Sequence, residues 1–238
     1  QDLVVQSVEM EEQIRTVIAA CDLVKARKRS SKTMMLSFDE WNVWYHNRER
    51  DKEMMRERPW QIAPPVTEET YTAADAIAVG SMLLTLLRNA GRVRMACIAQ
   101  VVNALAPLMT ETSGRIWKQT TWYPLEHASR FGRGELVFTA GSGPEIDTPR
   151  YGLQPAVETI VTRDPETGST TLFAINRSVT DAIPMAVSLF SNHPLTLVEG
   201  IRLHSADPNR ANTADQPNCV VPVAISDAAF ANNQLDNL

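Results

Sequence analysis

The chain has 238 residues, of which 44% are hydrophobic and 21% charged, so it can form one large globular domain or two ordinary ones. Twenty-three basic and 28 acidic side chains give a formal net charge of −5, which disfavours nucleic-acid binding by the whole chain. No apolar run is long enough to cross a bilayer, and no signal peptide is recognisable in a sequence that begins with Gln1. We therefore expect a cytoplasmic protein with no membrane or nucleic-acid partner.

Three cysteines, Cys21, Cys97 and Cys219, lie far apart in apolar or mixed surroundings. Because free cysteine is strongly buried in most proteins, we expect three buried free thiols. No CxxC motif or Cys/His cluster is present, so the sequence predicts no metal site and no cofactor.

The first half of the chain has the pattern of an α/β fold. Apolar residues recur every three or four positions over residues 8–28, which predicts a helix with Ser7 as its cap. Residues 33–38 form a short apolar run that is typical of a fully buried strand. Residues 47–58 are highly charged and indicate a surface excursion.

The same order of a helix followed by a strand then repeats. Thr72 and Asp75 form a variant capping box for a second apolar helix that Gly91 closes. A second strand is predicted within residues 93–102, and a further helix near Pro124, since proline is tolerated in a first helical turn.

From about Gly134 onward, short β-rich runs alternate with turns. These runs are residues 157–162, 170–176, 185–190, 195–203 and 220–225. The first two flank a turn-rich segment and predict a hairpin, and the series as a whole predicts an antiparallel sandwich. We therefore divide the chain into residues 1–133 and 134–238.

Two polar side chains, Glu40 and Gln100, lie where the two predicted parallel strands end. The carboxyl ends of such strands are where ligands and catalytic groups collect. Strict alternation along a strand would send Asp39 and Glu40 to opposite sides, so one of them is expected to be structural. Two catalytic carboxylates of a glycosidase are roughly 5 to 10 Å apart, so adjacent residues make a poor pair. The rings of Trp41, Trp44 and Tyr45 could line a sugar site, or simply pack in the core.

Several motifs occur together in one order: FDEWNVWYH, WQIAPP, the long segment ADAIAVGSMLLTLLRNAGRVRMACIAQVVNALAPLMT, TTWYPLEHAS and TLFAINR. Together they resemble the C-terminal half of the family 51 glycoside hydrolases, the retaining α-L-arabinofuranosidases. This resemblance implies the C-terminal part of a (β/α)8 TIM barrel, with strands seven and eight in residues 1–133, followed by a jelly-roll-like antiparallel β-sandwich.

The resemblance also implies roles for individual residues. Glu40 matches the catalytic nucleophile, Trp44 a ring that lines the sugar pocket, and Gln100 a hydrogen-bond partner of the sugar. Asp39 is expected to be structural, and Tyr45 and His46 to have supporting roles. The implied substrates are terminal α-L-arabinofuranosyl groups of arabinan, arabinoxylan or arabino-oligosaccharides.

The family's acid/base glutamate has no counterpart in this chain. Five other glutamates suit loops or helix starts better than acid catalysis: Glu68, Glu69, Glu111, Glu126 and Glu135. We therefore expect an internal piece of a longer enzyme that needs its N-terminal half for folding and activity. Family members often assemble as homo-oligomers, commonly hexamers.

A second hypothesis is a noncatalytic carbohydrate-binding or assembly fragment in which the sandwich does the binding. The second half contains no tryptophan, the residue on which sugar-binding platforms usually rely, and this makes the second hypothesis the weaker one.

Overall fold

The computed structural model describes residues 1–45, 48–62, 64–191, 193–225, 229–231 and 233–236. In this part of the chain a short 3-10 turn, Asp2–Val5, precedes the α-helices. The helices are α1 (Ser7–Arg27), α2 (Arg48–Glu57), α3 (Ala73–Arg88) and α4 (Trp122–Phe131). The strands are β1 (Leu36–Trp41), β2 (Val93–Ile98), β3 (Leu108–Thr110), β4 (Ile116–Lys118), β5 (Glu135–Val137), β6 (Glu145–Thr148), β7 (Gly152–Pro155), β8 (Val157–Arg163), β9 (Thr170–Asn176), β10 (Val187–Ser188), β11 (Ile201–Leu203), β12 (Pro222–Ala224), β13 (Ala229–Ala231) and β14 (Gln234–Asp236).

The first half is built around a parallel pair, β1 and β2, joined by a crossover that contains α3. Helices α1 and α3 cover one face of this pair. Their contact buries the largest apolar cluster, whose members include Met10, Ile14, Trp41, Val79, Met82, Leu83, Leu86 and Val93. The predicted order of helix, strand, helix and strand is confirmed. This layering brings the carboxyl ends of β1 and β2 to one edge.

The opposite face of the strand pair is open in this chain. Met95 of β2 and, just before β1, Met34 and Met35 are each about half exposed, and three polar side chains of β1 are exposed as well. The prediction of a fully buried strand over residues 33–38 is therefore wrong for this chain. Helices cover only one side of a two-stranded sheet, and no described residue packs over the other.

The predicted helix starts are partly correct. The backbone N–H of Thr72 donates to Oδ2 of Asp75 over 2.7 Å, and the capping box of α3 is complete. Ser7, by contrast, is the first residue of α1 and not its cap, because the 3-10 turn leads directly into the helix through Gln6. The charged segment after β1 lies on the surface as expected, and most of it is the helix α2.

The second half is antiparallel, as predicted. Strand β8 pairs with β5 and with β9, and the β8–β9 hairpin is confirmed over its full length. The later strands have only two or three residues, shorter than the predicted runs, because their ladder partners are equally short. The described strands form separate small sheets, so the jelly-roll-like sandwich stays a prediction.

The two halves of the chain pack against each other. Val4 and Val5 of the N-terminal turn form an apolar cluster with Ile146 of β6 and with Ala156. Helix α3 is further joined to the second half by an ion pair between Arg88 and Glu158, 2.7 Å long. The boundary at residues 133 and 134 stays a prediction.

The three cysteines form no disulfide, but the prediction that they are buried is wrong. Cys97 is exposed on β2, whose outer face is uncovered, and Cys21 on α1 and Cys219 in the loop before β12 are partly exposed. Over the described residues, no helix has the length and apolar character needed to cross a membrane. The same residues contain no group of three or more His, Cys, Asp or Glu side chains that could hold a metal ion.

Candidate functional site

Glu40 lies exposed near the carboxyl end of β1, in a stretch where the strand pairing is irregular. Phe38 pairs with Ala96 and Trp41 with Ile98, so three steps along β1 match two steps along β2. Phe38 and Trp41 nevertheless both contact the apolar cluster beneath the strands. This bulge interrupts the alternation of side chains. The prediction that Asp39 and Glu40 must face opposite sides is therefore not supported, and both carboxylates are exposed.

Gln100 lies just beyond β2, at the same edge of the sheet as Glu40. The last backbone hydrogen bond between the two strand ends runs from the N–H of Ala99 to the carbonyl of Trp41 and is 3.0 Å long. A cis peptide bond joins Ala99 to Gln100, and the Gln100 N–H donates to the carbonyl of Leu105 over 3.2 Å. The structure thus brings the strand ends that carry Glu40 and Gln100 together.

Asn42 links the two strand ends and was not singled out from the sequence. Its Nδ2 donates to the carbonyls of Ala99, at 2.9 Å, and of Leu105. Its Oδ1 accepts a 2.8 Å hydrogen bond from the N–H of Val43. The only signal in the sequence was its place inside the FDEWNVWYH motif, two residues after Glu40.

The two rings that follow Glu40 most closely have different environments. Trp44 is 44% exposed and lies at the candidate site, whereas Trp41 is buried in the core and cannot line a pocket. Trp41 is thus the core tryptophan, and Trp44 is the more exposed of the two. His46, which was expected to have a supporting role, lies outside the described residues.

The loop that carries Trp44 is held against the start of α3. The hydroxyl of Tyr45 donates to Oδ1 of Asp75, which is fully buried, and the hydroxyl of Tyr71 donates to the carbonyl of Val43 over 2.8 Å. Burial, and next the hydrogen bond to and charge of Asp75, raise the pKa of Tyr45. Burial, followed by the charges of Glu69 and Asp75, raises the pKa of Tyr71.

Three of the five other glutamates have structural partners. Glu68 accepts a 3.1 Å hydrogen bond from Nδ2 of Asn103, and Glu111 pairs with Arg115 at 2.7 Å. Glu126 accepts a 3.2 Å hydrogen bond from the indole N–H of Trp122. Asp39 and Glu40 are thus the two exposed carboxylates at the end of β1, at the same edge of the strand pair as Gln100.

Comparison with known proteins decides the family. Residues 39–237 match the profile of the α-L-arabinofuranosidase C-terminal domain. An intracellular exo-α-(1→5)-L-arabinofuranosidase from Halalkalibacterium halodurans is 42% identical over 230 residues, which cover 97% of this chain. The chain belongs to the family 51 α-L-arabinofuranosidases.

Other family members give the same result. An intracellular exo-α-(1→5)-L-arabinofuranosidase 1 from Bacillus subtilis is 40% identical over 97% of this chain. The structure of a family 51 α-L-arabinofuranosidase from Bifidobacterium longum, 37% identical, superposes on the whole chain with a TM-score of 0.89. The chain spans 45% of the length of the H. halodurans relative and 48% of the B. longum structure. It thus corresponds to a little less than half of a family 51 α-L-arabinofuranosidase.

Proposed function

We propose that this chain is the nucleophile-bearing part of a retaining α-L-arabinofuranosidase that removes terminal α-L-arabinofuranosyl groups from arabinan, arabinoxylan or arabino-oligosaccharides. One observation carries the proposal. Glu40 and Gln100 lie at the carboxyl ends of two neighbouring parallel strands, and Glu40 is exposed there. This is the edge at which α/β enzymes bind their substrates.

In the proposed reaction, a carboxylate oxygen of Glu40 forms a bond to the anomeric carbon of the arabinofuranosyl group. The bond from that carbon to the leaving oxygen breaks, and an acid outside this chain gives that oxygen a proton. In the second step the same group, now a base, takes a proton from water, and the water oxygen replaces Glu40 at the anomeric carbon. Two inversions give net retention of configuration.

Trp44 and Gln100 are proposed to bind the sugar. The exposed indole of Trp44 offers an apolar face to sugar C–H groups, and the amide of Gln100 can both donate to and accept from hydroxyls. Several relatives are named as α-(1→5)-arabinofuranosidases and one as an α-(1→6)-arabinofuranosidase, at nearly the same identity to this chain. We therefore place linkage selection in contacts beyond the two proposed sugar-binding residues.

We further propose that residues 1–133 supply strands seven and eight of a (β/α)8 barrel and residues 134–238 a C-terminal β-sandwich. The open face of β1 and β2, with Met34, Met35 and Met95 exposed, supports a partner that covers it, and the N-terminal half of the same enzyme fits that requirement. The word intracellular in the names of several relatives supports a cytoplasmic location. Assembly into a homo-oligomer, such as a hexamer, belongs to the same proposal.

Covalent labelling tests this proposal. The protein for the test is a chimera in which this chain is joined to the part of the H. halodurans relative that it does not cover. The chimera is incubated with a mechanism-based arabinofuranosyl label, and the adduct is mapped by mass spectrometry. We expect the label on Glu40, and no label there in Glu40→Gln. An adduct on any other residue would overturn the assignment of the nucleophile.

The alternative function, carbohydrate binding by the second half alone, has limited support. Phe138 and Phe190 are almost fully exposed, but they lie on different strands or loops, and no described contact joins them. Titration calorimetry of the chimera with Glu40→Gln and arabino-oligosaccharides separates the two functions. Binding that survives Trp44→Ala and Gln100→Ala but is lost in Phe138→Ala and Phe190→Ala would favour the alternative.

A further inference from the structure

Asn42 joins the two strand ends of the candidate site through its side chain alone. Both hydrogens of its Nδ2 are used, one on the carbonyl of Ala99 and one on that of Leu105, which are 57 and 63 residues away in the chain. Its Oδ1 accepts from the N–H of Val43. The polar atoms of this half-buried amide are therefore all engaged in holding backbone groups.

These contacts lie on both sides of the proposed site. Asn42 is two residues after Glu40, and Ala99 directly precedes Gln100. The carbonyl of Leu105 accepts from the side chain of Asn42, in the loop after β1, and from the N–H of Gln100, in the loop after β2. One oxygen therefore holds both loops. Beyond the Ala99 to Trp41 bond the strand ladder has ended, and the Asn42 side chain continues the link between the loops.

The chemistry of this position requires a carboxamide. Two carbonyl oxygens need a group with two N–H donors, and the neighbouring backbone N–H needs an acceptor on the same side chain. Aspartate has the same size but offers only acceptors when ionised, and it would place a negative charge beside two carbonyls. Alanine removes all three bonds. Serine keeps a single donor.

We propose that Asn42 is a positioning residue that sets the separation and relative orientation of Glu40 and Gln100. This inference rests on the proposed function, because it concerns the same site. A nucleophile reacts fast only when it is held close to its attack geometry, and a displacement of about 1 Å can lower the rate about 100-fold. Asn42 acts on the reaction through the backbone of the two loops and does not itself contact the sugar.

The second half contains a matched control, Asn212. Its Nδ2 donates to the carbonyls of Lys118, at 3.1 Å, and Val220, at 2.9 Å, and its Oδ1 accepts from the N–H of Val220 at 2.8 Å. Asn212 is fully buried and contacts none of the residues assigned to the site. Its replacement therefore removes the same set of bonds without touching the link between the loops.

The experiment compares Asn42→Ala, Asn42→Ser and Asn212→Ala in the chimera. Three quantities are measured for each: the midpoint of urea unfolding, kcat/KM on an aryl α-L-arabinofuranoside, and the rate at which the mechanism-based label reaches Glu40. We expect Asn42→Ala to lower kcat/KM and the labelling rate by about 100-fold. Asn42→Ser should fall between that variant and the parent. Asn212→Ala should lose stability yet keep both rates close to the parent values.

The outcomes separate this inference from the proposed function. If Glu40 is labelled in Asn42→Ala at the parent rate, or if Asn212→Ala slows labelling equally, Asn42 is not a positioning residue and the nucleophile assignment stands. If the label maps elsewhere in the parent chimera, the proposed function fails first. Should Asn42→Ala not fold, a labelling rate of folded Asn42→Ser equal to the parent rate overturns the inference, and a reduced rate supports it.

Discussion

The hydroxyl of Tyr45 donates to Oδ1 of Asp75, and Oδ2 of the same carboxylate accepts from the backbone N–H and the hydroxyl of Thr72. One buried carboxylate therefore caps α3 and anchors the loop that carries Trp44. This anchor couples the start of α3 to the residues that follow Glu40. Its strength can be measured by removing one partner at a time.

Tyr45→Phe should lower the free energy of unfolding of the chimera by about 1 kcal/mol, because one hydrogen bond of a half-exposed tyrosine is lost and Asp75 keeps its two other donors. Asp75→Ala should cost about 2–4 kcal/mol, because it also removes the cap of α3 and leaves the Tyr45 hydroxyl without its acceptor. Urea titration measures both. The double variant, Tyr45→Phe with Asp75→Ala, should have the same free energy of unfolding as Asp75→Ala alone. A further loss of stability in the double variant would mean that Tyr45 acts through a contact other than Asp75.

Tyr71 should remain protonated well above the ordinary tyrosine pKa of about 10, because it is fully buried and close to two carboxylates. Its pKa is higher in the folded state than in the unfolded one. Its contribution to stability is thus complete below about pH 10 and is lost as pH rises further, by at most about 1.4 kcal/mol per pH unit. The sign follows because the unfolded chain releases the proton first.

Phenolate absorbance measures this effect. At about pH 11, one unit above the ordinary tyrosine pKa, the folded chimera and its Tyr71→Phe variant should give the same phenolate signal. The difference should appear only when urea unfolds both proteins. A Tyr71 phenolate signal at that pH in folded protein would contradict the expected shift.

Glu158→Gln should lower the free energy of unfolding of the chimera by about 3 kcal/mol, because it leaves the buried guanidinium of Arg177 without its counter-charge. Glu158 also pairs with Arg88, beside a cleft of about 420 Å³ between α1, the end of α3 and strands β7 and β8. Urea unfolding measures the loss. The exposed Glu166→Gln is the control and should change the free energy of unfolding by less than about 0.5 kcal/mol.

A double replacement tests the cause of that loss. Glu158→Met with Arg177→Met removes both buried charges and should recover most of the stability, since no unpaired charge is left in the interior. A double variant that is less stable than Glu158→Gln would show that the hydrogen bonds of the pair, and not the unpaired charge, dominate.

Gly134→Ala should destabilise the chimera by about 3 kcal/mol or more, because Gly134 has a φ of +83° and an added Cβ would lie 2.6 Å from the carbonyl carbon of Arg163 and from Cα of Asp164. Gly141 has no atom within 4 Å of an added Cβ and no positive φ, so Gly141→Ala should change stability by less than about 1 kcal/mol. Thermal unfolding of the two variants measures the contrast. Equal melting temperatures would contradict it.

Local patterns in the sequence predicted the elements that depend on near neighbours. The capping box joins Thr72 to Asp75, three positions later, and the β8–β9 hairpin follows from two β-rich runs on either side of a longer, turn-rich loop. The position of Glu40 at a strand end followed from the break in the apolar run, and its role from the family motif. Segments of this kind are specified by a few adjacent side chains, which is why they can be read from one sequence.

The sequence by itself thus determined the order of helix, strand, helix and strand in the first half, the two strand ends and the family. Only the tertiary structure decided how the site is assembled: the shift in strand pairing beside the two carboxylates, the burial of Trp41 in place of Trp44, and the amide of Asn42 that bridges the two strand ends. It also decided that Cys97 is exposed. These features depend on contacts between residues more than 50 positions apart, such as Asn42 with Ala99, and no local pattern encodes a contact of that kind.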